Sequence, residues 1–434
     1  MRAPLRLLCL IFAACALWQR VQGAESSLSA GAASVEITPS TNMLNWVTGK
    51  PYTGVLDPIY VRALTLSDGK TRGAILTWDL VDTREGVVAK IRQEIEAAVG
   101  IPATNILINA SHSHSAPFAP TLGDPLIAID RKVIEPVERD PLHREWTTNL
   151  IVRCVEAIRT AEASRRTAKL GISRAWAGEV LFNRRPVKEE GKVETTFQPA
   201  NPYSLPHGER FGPMDPTLTL LSFRDEKGAT LASVFSLPCH AVCIYGSNQG
   251  ISGDWPGAVA SRLRQSFGGE ALFLQGCAGD IVPARRGLPQ RLDMAELVSH
   301  RTVMAQTNSH ALPNGKLRVS RRVVTLPLTP SATHDIGLSN MTSEVQVLSF
   351  GTLAIVALPG EPLTGISLEI QKRSPFPHTL VIGYSNGNGV EYVGLPGEKI
   401  RGGYEMGESG EGDDRCGQIL IDAAESLLKE GANR

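Results

Sequence analysis

The feature that most constrains the fold is an order of elements that recurs along the chain. In its first copy, residues 61–66 and 73–79 predict two strands joined by a turn at Gly69. Apolar residues at helical spacing then predict a helix that ends at Gly100, and residues 105–108 predict a short buried strand. Hairpin, helix and strand therefore follow one another without a long interruption.

The same order returns twice. The second copy has two strands, a helix and a last strand, predicted at 217–223, 230–237, 254–267 and 271–274. Its helix is predicted to start with Asp254 as the N-cap. The third copy has the same elements, predicted at 345–350, 353–358, 363–370 and 379–384. We expect an α/β fold with mixed sheets built from repeated hairpin-helix-strand units. Because this order is common, the alternative is that the likeness among the copies is accidental.

The rest of the chain is less regular. Helices are predicted at 146–163 and 416–428. Segments 118–144 and 183–215 are long and rich in proline and charge, and we expect them to be functional loops over a site. No linker of biased composition divides the chain, so residues 24–434 are predicted to form a single catalytic domain.

The N-terminus has the pattern of an export signal. Arg2 and Arg6 precede an apolar run at 7–18, and small residues follow up to Ala24. A signal peptide is therefore predicted over 1–23, with the mature protein secreted or periplasmic. An uncleaved anchor is the alternative. No later stretch approaches the roughly 20 apolar residues of a membrane helix, so stable membrane insertion is not expected.

Charge and cysteine content exclude two further classes. The 44 basic side chains balance 44 acidic ones, and no basic block stands out, so nucleic-acid binding is not expected. The cysteines of the mature chain are odd in number and scattered, which is unlike a disulfide framework. We predict no disulfide bond among Cys154, Cys239, Cys243, Cys277 and Cys416.

Residues with metal-binding chemistry follow predicted strands in all three copies. His112 and His114 follow the last strand of the first copy, His240 follows the hairpin of the second, and Glu361 follows the hairpin of the third. Side chains just past the carboxyl ends of neighbouring strands can converge on one crevice. Imidazole and carboxylate suit zinc. The alternatives are a hydrogen-bonded histidine loop and, for Glu361, an anion at the start of a helix.

Cysteines on both sides of His240 offer a different metal site. Cys239 and Cys243 could supply thiolate ligands in a Cys-His-x-x-Cys arrangement. They lack a second pair nearby, so we favour small buried cysteines.

At this point the motifs match a known family. Residues 109–117, Asn-Ala-Ser-His-Ser-His-Ser-Ala-Pro, resemble the Thr-His-Thr-His-Ser-Gly-Pro motif of neutral ceramidases, zinc amidases that split ceramide into sphingosine and fatty acid. Further family motifs are matched in the right order at 183–186, 251–257, 279–283, 358–361, Tyr392 and Tyr404-Glu405. The chain is identified by this resemblance as the N-terminal catalytic domain of a neutral/alkaline non-lysosomal ceramidase.

The resemblance implies a role for each site residue. The implied zinc ligands are His112, His240, Glu361 and Tyr392. His114 would move a proton at the metal-bound water, Arg184 and Tyr404 would face the scissile carbonyl, and Asp280 would orient a histidine or the loop. Tyr392 could instead be an aromatic residue packed against the glycine-rich loop. The implied reaction is hydrolysis of a small-molecule or lipid amide, such as an N-acyl sphingosine, by metal-activated water.

The sequence departs from the family at two places. Val282 stands where family members carry a serine, so a covalent serine mechanism at this position is excluded. Ser115 and Ser252 are possible substitutes, but the chain has no Gly-x-Ser-x-Gly elbow. The C-terminal immunoglobulin-like β-sandwich of full-length ceramidases is also not expected. Two alternatives stay open: the same metal site acting on another small amide or ester, and an inactive ligand-binding member. The sequence leaves the oligomeric state open.

Overall fold

Strands and helices cover much of the chain that the computed structural model describes, residues 27–126, 128–407 and 409–433. The predicted signal peptide lies outside these residues. In chain order, strands β1–β20 are Ser29–Glu36, Leu44–Asn45, Lys50–Pro51, Tyr60–Ser67, Arg72–Trp78, Ile106–Ala110, Arg166–Thr167, Lys169–Trp176, Leu181–Asn183, Thr217–Arg224, Thr230–Ser236, Glu270–Phe273, Ile281–Pro283, His310–Ala311, Leu317–Pro327, Asn340–Phe350, Leu353–Ala357, Glu361–Pro362, His378–Ile382 and Tyr392–Val393.

The helices lie between these strands. In chain order, α1–α10 are Glu85–Val99, Ala128–Glu138, Pro141–Ala163, Asp254–Phe267, Leu288–Gln306, Pro330–Ile336, Thr364–Arg373, Glu398–Arg401, Tyr404–Gly407 and Cys416–Ala432. No helix in the described part of the chain is long and apolar enough to cross a membrane.

Three larger sheets carry the repeated units. Their strand orders are β6-β5-β4-β1-β7, β12-β11-β10-β8-β14 and β15-β16-β17-β19. In each sheet an antiparallel hairpin is followed by a helix and then by a strand that pairs in parallel with the second hairpin strand. The units are β4-β5-α1-β6, β10-β11-α4-β12 and β16-β17-α7-β19. The predicted α/β class with mixed sheets and repeated hairpin-helix-strand units is confirmed.

The three sheets share a core. One apolar cluster includes Leu64 of the first sheet, Leu221 of the second and Leu348 of the third, each at most 2% exposed. Helix α3 packs on the first sheet and on α1, helices α4 and α5 pack on the second sheet, and α7 and α10 pack on the third. Bridges between sheets join Asn109 to Ser385 and Gly276 to Ile382. The strand ends of the three units therefore meet, which is where the site lies.

Two of the predicted boundaries are wrong. Segment 118–144 is not only loop, because it holds α2 and the start of α3. The α3 helix starts at Pro141, since the Asp140 side chain accepts a hydrogen bond from the amide of Leu142. Asp254 is not an N-cap: Gly253 holds that position, and the Asp254 carboxylate instead accepts hydrogen bonds from backbone amides, including that of Cys243.

Candidate metal centre

Loops that leave the three repeated units bring two histidines and a carboxylate together. His112 follows β6, His240 follows β11, and Glu361 follows β17. The Oε2 atom of Glu361 lies 3.4 Å from Nε2 of His112 and 3.2 Å from Nε2 of His240. All three side chains are buried. One potential ligand atom from each unit thus converges on one point.

The two histidines are fixed by their other ring nitrogens. Nδ1 of His112 donates to the carbonyl oxygen of Val81 at 2.6 Å, and Nδ1 of His240 donates to that of Ala278 at 2.7 Å. Because a carbonyl only accepts, each Nδ1 carries the proton and each Nε2 presents a lone pair. Nε2 of His240 is buried and has no hydrogen-bond partner.

His114 stands beside this pair. Its Nε2 atom lies 2.9 Å from Nε2 of His112, and its Nδ1 atom has no hydrogen-bond partner. The ligand atoms of the three histidines all lie within 4.8 Å of one another. Burial lowers the pKa of His112, and it lowers the pKa values of His114 and His240 well below the usual range. The rings are therefore neutral, as metal binding requires.

The donor set fits a zinc ion. Two imidazole nitrogens and a carboxylate oxygen are ligands that zinc accepts. A buried lone pair without a donor is costly, and a cation removes that cost. The Nε2 atom of His240, buried and without a hydrogen-bond partner, is the clearest sign that a cation fits here.

A buried amide holds both histidine loops and was missed in the sequence. Nε2 of Gln275 donates to the carbonyl oxygens of Ser111 (3.0 Å) and Cys239 (2.8 Å). Its Oε1 atom accepts from the amide of Cys239 at 3.2 Å. His112 itself has φ of 62°, a conformation that costs energy and needs support. The position of Gln275 just past β12 was the available signal.

Arg184 and Tyr392 lie next to each other beside Glu361. Tyr392 pairs with Glu361 in the parallel ladder β18-β20. Nη2 of Arg184 donates to the Tyr392 hydroxyl at 3.0 Å, and Nε donates to Glu405 at 2.6 Å. Burial opposes the charge, but Tyr392 and Glu405 raise the pKa of Arg184 overall, so the guanidinium stays charged. Its Nη1 atom donates to no group of the described residues.

Tyr404 and Asp280 occupy the flank of the site. The Tyr404 ring lies 5.9 Å from that of Tyr392 and is half-buried. The Asp280 carboxylate accepts from the amide and hydroxyl of Thr364 (2.8 and 2.7 Å) and from Asn183 (2.9 Å). Asp280 forms no hydrogen bond with a histidine of the described residues. Of the two roles considered for it, the contacts favour holding the loop.

Further aromatic residues that the sequence did not single out surround the histidines. The Tyr384 hydroxyl donates to Oε2 of Glu361 at 3.2 Å, and its ring lies 4.4 Å from that of His112. On the other side, the rings of Trp46 and Tyr245 lie 5.6 and 5.0 Å from that of His114. The site is therefore bordered by apolar ring surface next to His114.

Val282 and the two serines considered as its substitutes differ in their surroundings. Val282 is fully buried in a small apolar cluster with Phe182 and Val242. The Ser252 hydroxyl donates to Asp57 at 2.6 Å. Ser115 has a buried hydroxyl without a partner.

The cysteines also stand apart from the centre. Burial raises the pKa of Cys239 and that of Cys243 well above the usual range, so both thiols are protonated. Neither sulfur belongs to the group of close ligand atoms around His240. All five cysteines in the described part of the chain are free and buried.

Comparison with known proteins agrees with this geometry at the level of the fold. No protein-family model and no curated protein matches the sequence. A crystal structure of neutral ceramidase from Pseudomonas aeruginosa matches with a TM-score of 0.73 and 16% identity, over 93% of this chain and 75% of that chain. The chain has the neutral ceramidase fold. A structure described as a ceramidase complexed with C2 matches at a TM-score of 0.72 and 16% identity, over 93% and 76% of the two chains.

The fold expected from the sequence motifs is thus confirmed. At this level of identity a neutral ceramidase fold does not itself establish a reaction. The activity has to be argued from the side chains.

Proposed function

We propose that the protein is a zinc-dependent hydrolase that cleaves an amide bond with a metal-activated water molecule. The observation that carries the proposal is the convergence of His112, His240 and Glu361, with both histidines fixed through Nδ1. The matched structures are described as ceramidases, so an N-acyl lipid such as an N-acyl sphingosine is the proposed substrate.

The metal would be held by four side chains. His112, His240 and Glu361 are the proposed first three ligands, and Tyr392 is the fourth. Burial and the charge of Glu361 raise the pKa of Tyr392 well above its usual range, and the Arg184 guanidinium that donates to its hydroxyl opposes that rise, as a bound metal ion would. A zinc ion bound there would polarise the amide carbonyl and acidify a water molecule.

His114 is the proposed proton carrier. Burial lowers the pKa of its ring well below the usual range, so the ring is neutral and keeps one nitrogen lone pair that can accept a proton. Its Nε2 atom is the one nearest His112, so it faces the centre. His114 would take a proton from the attacking water and pass it to the nitrogen of the leaving amine.

Arg184 and Tyr404 are the proposed donors to the carbonyl oxygen. Nη1 of Arg184 is free for this contact. Burial raises the pKa of Tyr404 to about 12, so its hydroxyl keeps the proton that it donates. Two such donors aimed at the developing negative charge can contribute several kcal/mol to catalysis. Asp280 would position Arg184, because its carbonyl oxygen accepts a hydrogen bond from the Arg184 amide at 2.8 Å.

The ring surface of Trp46 and Tyr245 supports an apolar group on the substrate. A long acyl chain would cover these rings and lose contact with water. Another small amide or ester remains the second candidate. The export signal predicted from the sequence would place either reaction outside the cytoplasm.

Metal content and turnover test the proposal together. We expect about one zinc per chain in the purified mature protein and release of fatty acid from a fluorogenic N-acyl amine. His240→Ala should lose the zinc and reduce kcat/KM by about 1000-fold or more. His334→Ala is the matched control, because that side chain is 91% exposed and its ring pairs with the neighbouring Asp335. Turnover that survives His240→Ala, or wild-type protein that binds no zinc, contradicts the proposal.

A further inference from the structure

Next to the His240 loop lies an arginine that has no ion-pair partner among the described residues. Arg286 follows β13, and its segment is tied to the His240 loop by a hydrogen bond from the Gly287 amide to the Cys243 carbonyl oxygen at 2.7 Å. Nε of Arg286 is buried and has no hydrogen-bond partner. Among the described residues, the Arg286 side chain forms no hydrogen bond or ion pair.

The neighbouring arginines behave differently. Arg184 pairs with Glu405 at 2.6 Å, and Arg185 pairs with Glu405 and Glu398 at 2.9 and 3.0 Å. Taking a charge out of water costs several kcal/mol unless an opposite charge compensates it. Arg286 is partly buried, its Nε atom is fully buried, and it has no paired carboxylate among the described residues. An anion that enters the cleft would supply the missing partner.

The charge of Arg286 acts on the site residues. Burial and the charge of Arg184 lower the pKa of Arg286. Burial also dominates the lowered pKa of His240, with Arg184, His112 and Arg286 contributing. For Tyr245, burial raises the pKa and Arg286 opposes that rise. The backbone hydrogen bond from Gly287 to Cys243, which lies between His240 and Tyr245 in the chain, holds Arg286 next to this loop.

We infer that Arg286 binds an anionic group of the substrate, and that the substrate class is an amide carrying a carboxylate close to the scissile bond, such as an N-acyl amino acid. This inference rests on the proposed amide hydrolysis. Arginine is suited to the task because its planar fork can hold both carboxylate oxygens. A neutral N-acyl sphingosine offers no charge to Arg286.

The reaction for such a substrate is an ordinary hydrolysis. Water adds its oxygen to the acyl carbon, the C–N bond breaks, and the nitrogen leaves as an amine after receiving a proton. The products are a fatty acid and an amino acid. The acyl chain would lie on the rings of Trp46 and Tyr245, while the carboxylate of the leaving amino acid would reach Arg286.

A pair of substrates that differ only in charge tests the inference. N-lauroylglycine carries the carboxylate, and N-lauroylglycinamide has nearly the same shape without it. We expect Arg286→Gln to raise KM for N-lauroylglycine by about 10- to 100-fold with little change in kcat, since a charge-assisted hydrogen bond to the carboxylate holds the substrate and the transition state alike. KM for the neutral amide should stay the same. Arg286→Lys should restore part of the affinity.

Arg285 offers the matched control. It is the adjacent arginine, but it is exposed and its guanidinium lies over the Tyr203 ring at 5.7 Å. Arg285→Gln should leave both KM values unchanged. Equal turnover of the two substrates, unaffected by Arg286→Gln, overturns the inference while amide hydrolysis stands.

A binding measurement distinguishes failure of this inference from failure of the proposed function. If the zinc-loaded wild type cleaves neither of these amides nor the fluorogenic N-acyl amine, amide hydrolysis fails as the function. The anion site is then tested by Tm in the presence of N-lauroylglycine. A rise in Tm that Arg286→Gln abolishes supports the site, and an equal response of the two proteins overturns it.

Discussion

Glu361 is held in a different way from the two histidines beside it. The histidines are fixed by backbone carbonyl groups, whereas the Glu361 carboxylate accepts a hydrogen bond from the Tyr384 hydroxyl. Tyr384 has φ of 50°, so its backbone is also in a conformation that needs support. A carboxylate ligand with a directed donor keeps its orientation, which preserves metal affinity.

Removing this donor should weaken metal binding. Tyr384→Phe keeps the ring against His112 and deletes only the hydroxyl. We expect the zinc dissociation constant to rise about 10- to 100-fold, the usual effect of losing a group that orients a ligand. Competition with a chromophoric chelator measures this dissociation constant. Tyr52→Phe is the control, because the Tyr52 hydroxyl is buried without a hydrogen-bond partner. Unchanged zinc affinity in Tyr384→Phe would show that the hydroxyl does not orient Glu361.

Single residues show where sequence reasoning reached the site and where it stopped. His112, His240 and Glu361 were found because ligand chemistry coincides with a strand end in each copy. Gln275 and Tyr384 were missed, since an amide or a phenol that follows a strand can have many noncatalytic roles. Their importance comes from contacts made across the chain, such as the bond from Gln275 to Ser111, which no local pattern encodes.

Amide side chains join the repeated elements to one another. Asn109, at the end of β6, donates to the carbonyl oxygen of Gly383 at 2.8 Å and accepts from the amide of Gln275 at 2.9 Å. Asn386, past β19, accepts from the amide of Ile108 at 2.8 Å. An amide suits this task because it donates and accepts at once. The elements of the three units are thus held in register where the histidine loops begin.

A change at Gln275 should disturb two of these loops together. Gln275→Glu keeps the shape but removes the donor to Ser111 and Cys239 and puts an acceptor against their carbonyl oxygens. We expect a loss of roughly 2–4 kcal/mol in the free energy of unfolding and weaker zinc binding. Urea unfolding and zinc titration measure the two effects.

A second buried amide provides the control for Gln275. Gln346 lies in β16, and its Nε2 atom donates to the carbonyl oxygen of Thr104 at 2.9 Å. Gln346→Glu should lower the free energy of unfolding while zinc affinity is maintained. If the two variants lose zinc affinity equally, Gln275 has no special role in placing the histidines.

Strands and helices could be predicted from the sequence where apolar residues alternate or recur at helical spacing. The β4-β5 and β10-β11 hairpins are such cases, because buried strands and short turns leave a local signal. The α2 helix was missed since Pro136 lies inside it, and proline ordinarily indicates a loop or a helix end. The arrangement of the three sheets around one core could not be read from the sequence, because it depends on packing between distant units.

At the scale of the whole molecule, a buried charged cluster joins distant parts of the chain. Arg84, just before α1, pairs with Asp82 and with Asp130 of α2, the latter at 2.7 Å. Glu411, near the C-terminus, interacts with the same group. Burial raises the pKa of Asp82 to about 6 and that of Glu411 to about 8. Folding therefore takes up protons in this cluster at neutral pH.

The pH dependence of stability should report this cluster. A carboxyl group whose pKa is raised by folding adds stability that is fully present below its unfolded pKa of about 4.3 and is lost as pH rises through its folded pKa. For Glu411 this stability is lost as the pH rises towards about 8 and through it. The reason is that burial and the charge of Asp130 favour the protonated carboxyl in the folded protein. The other charged groups that act on it are Arg84, Glu85, Glu391 and Lys399.

Glu411→Gln imitates the protonated carboxyl and should flatten this dependence. We expect the wild type to lose about 1–3 kcal/mol more than the variant between pH 6 and pH 9, since one pKa unit corresponds to roughly 1.4 kcal/mol. Urea unfolding at the two pH values, at equal zinc content, measures the difference. The exposed turn residue Glu226 supplies the control, and Glu226→Gln should follow the wild type. A Glu411→Gln protein that loses as much stability as the wild type would show that Glu411 is already ionised in the folded protein at pH 6.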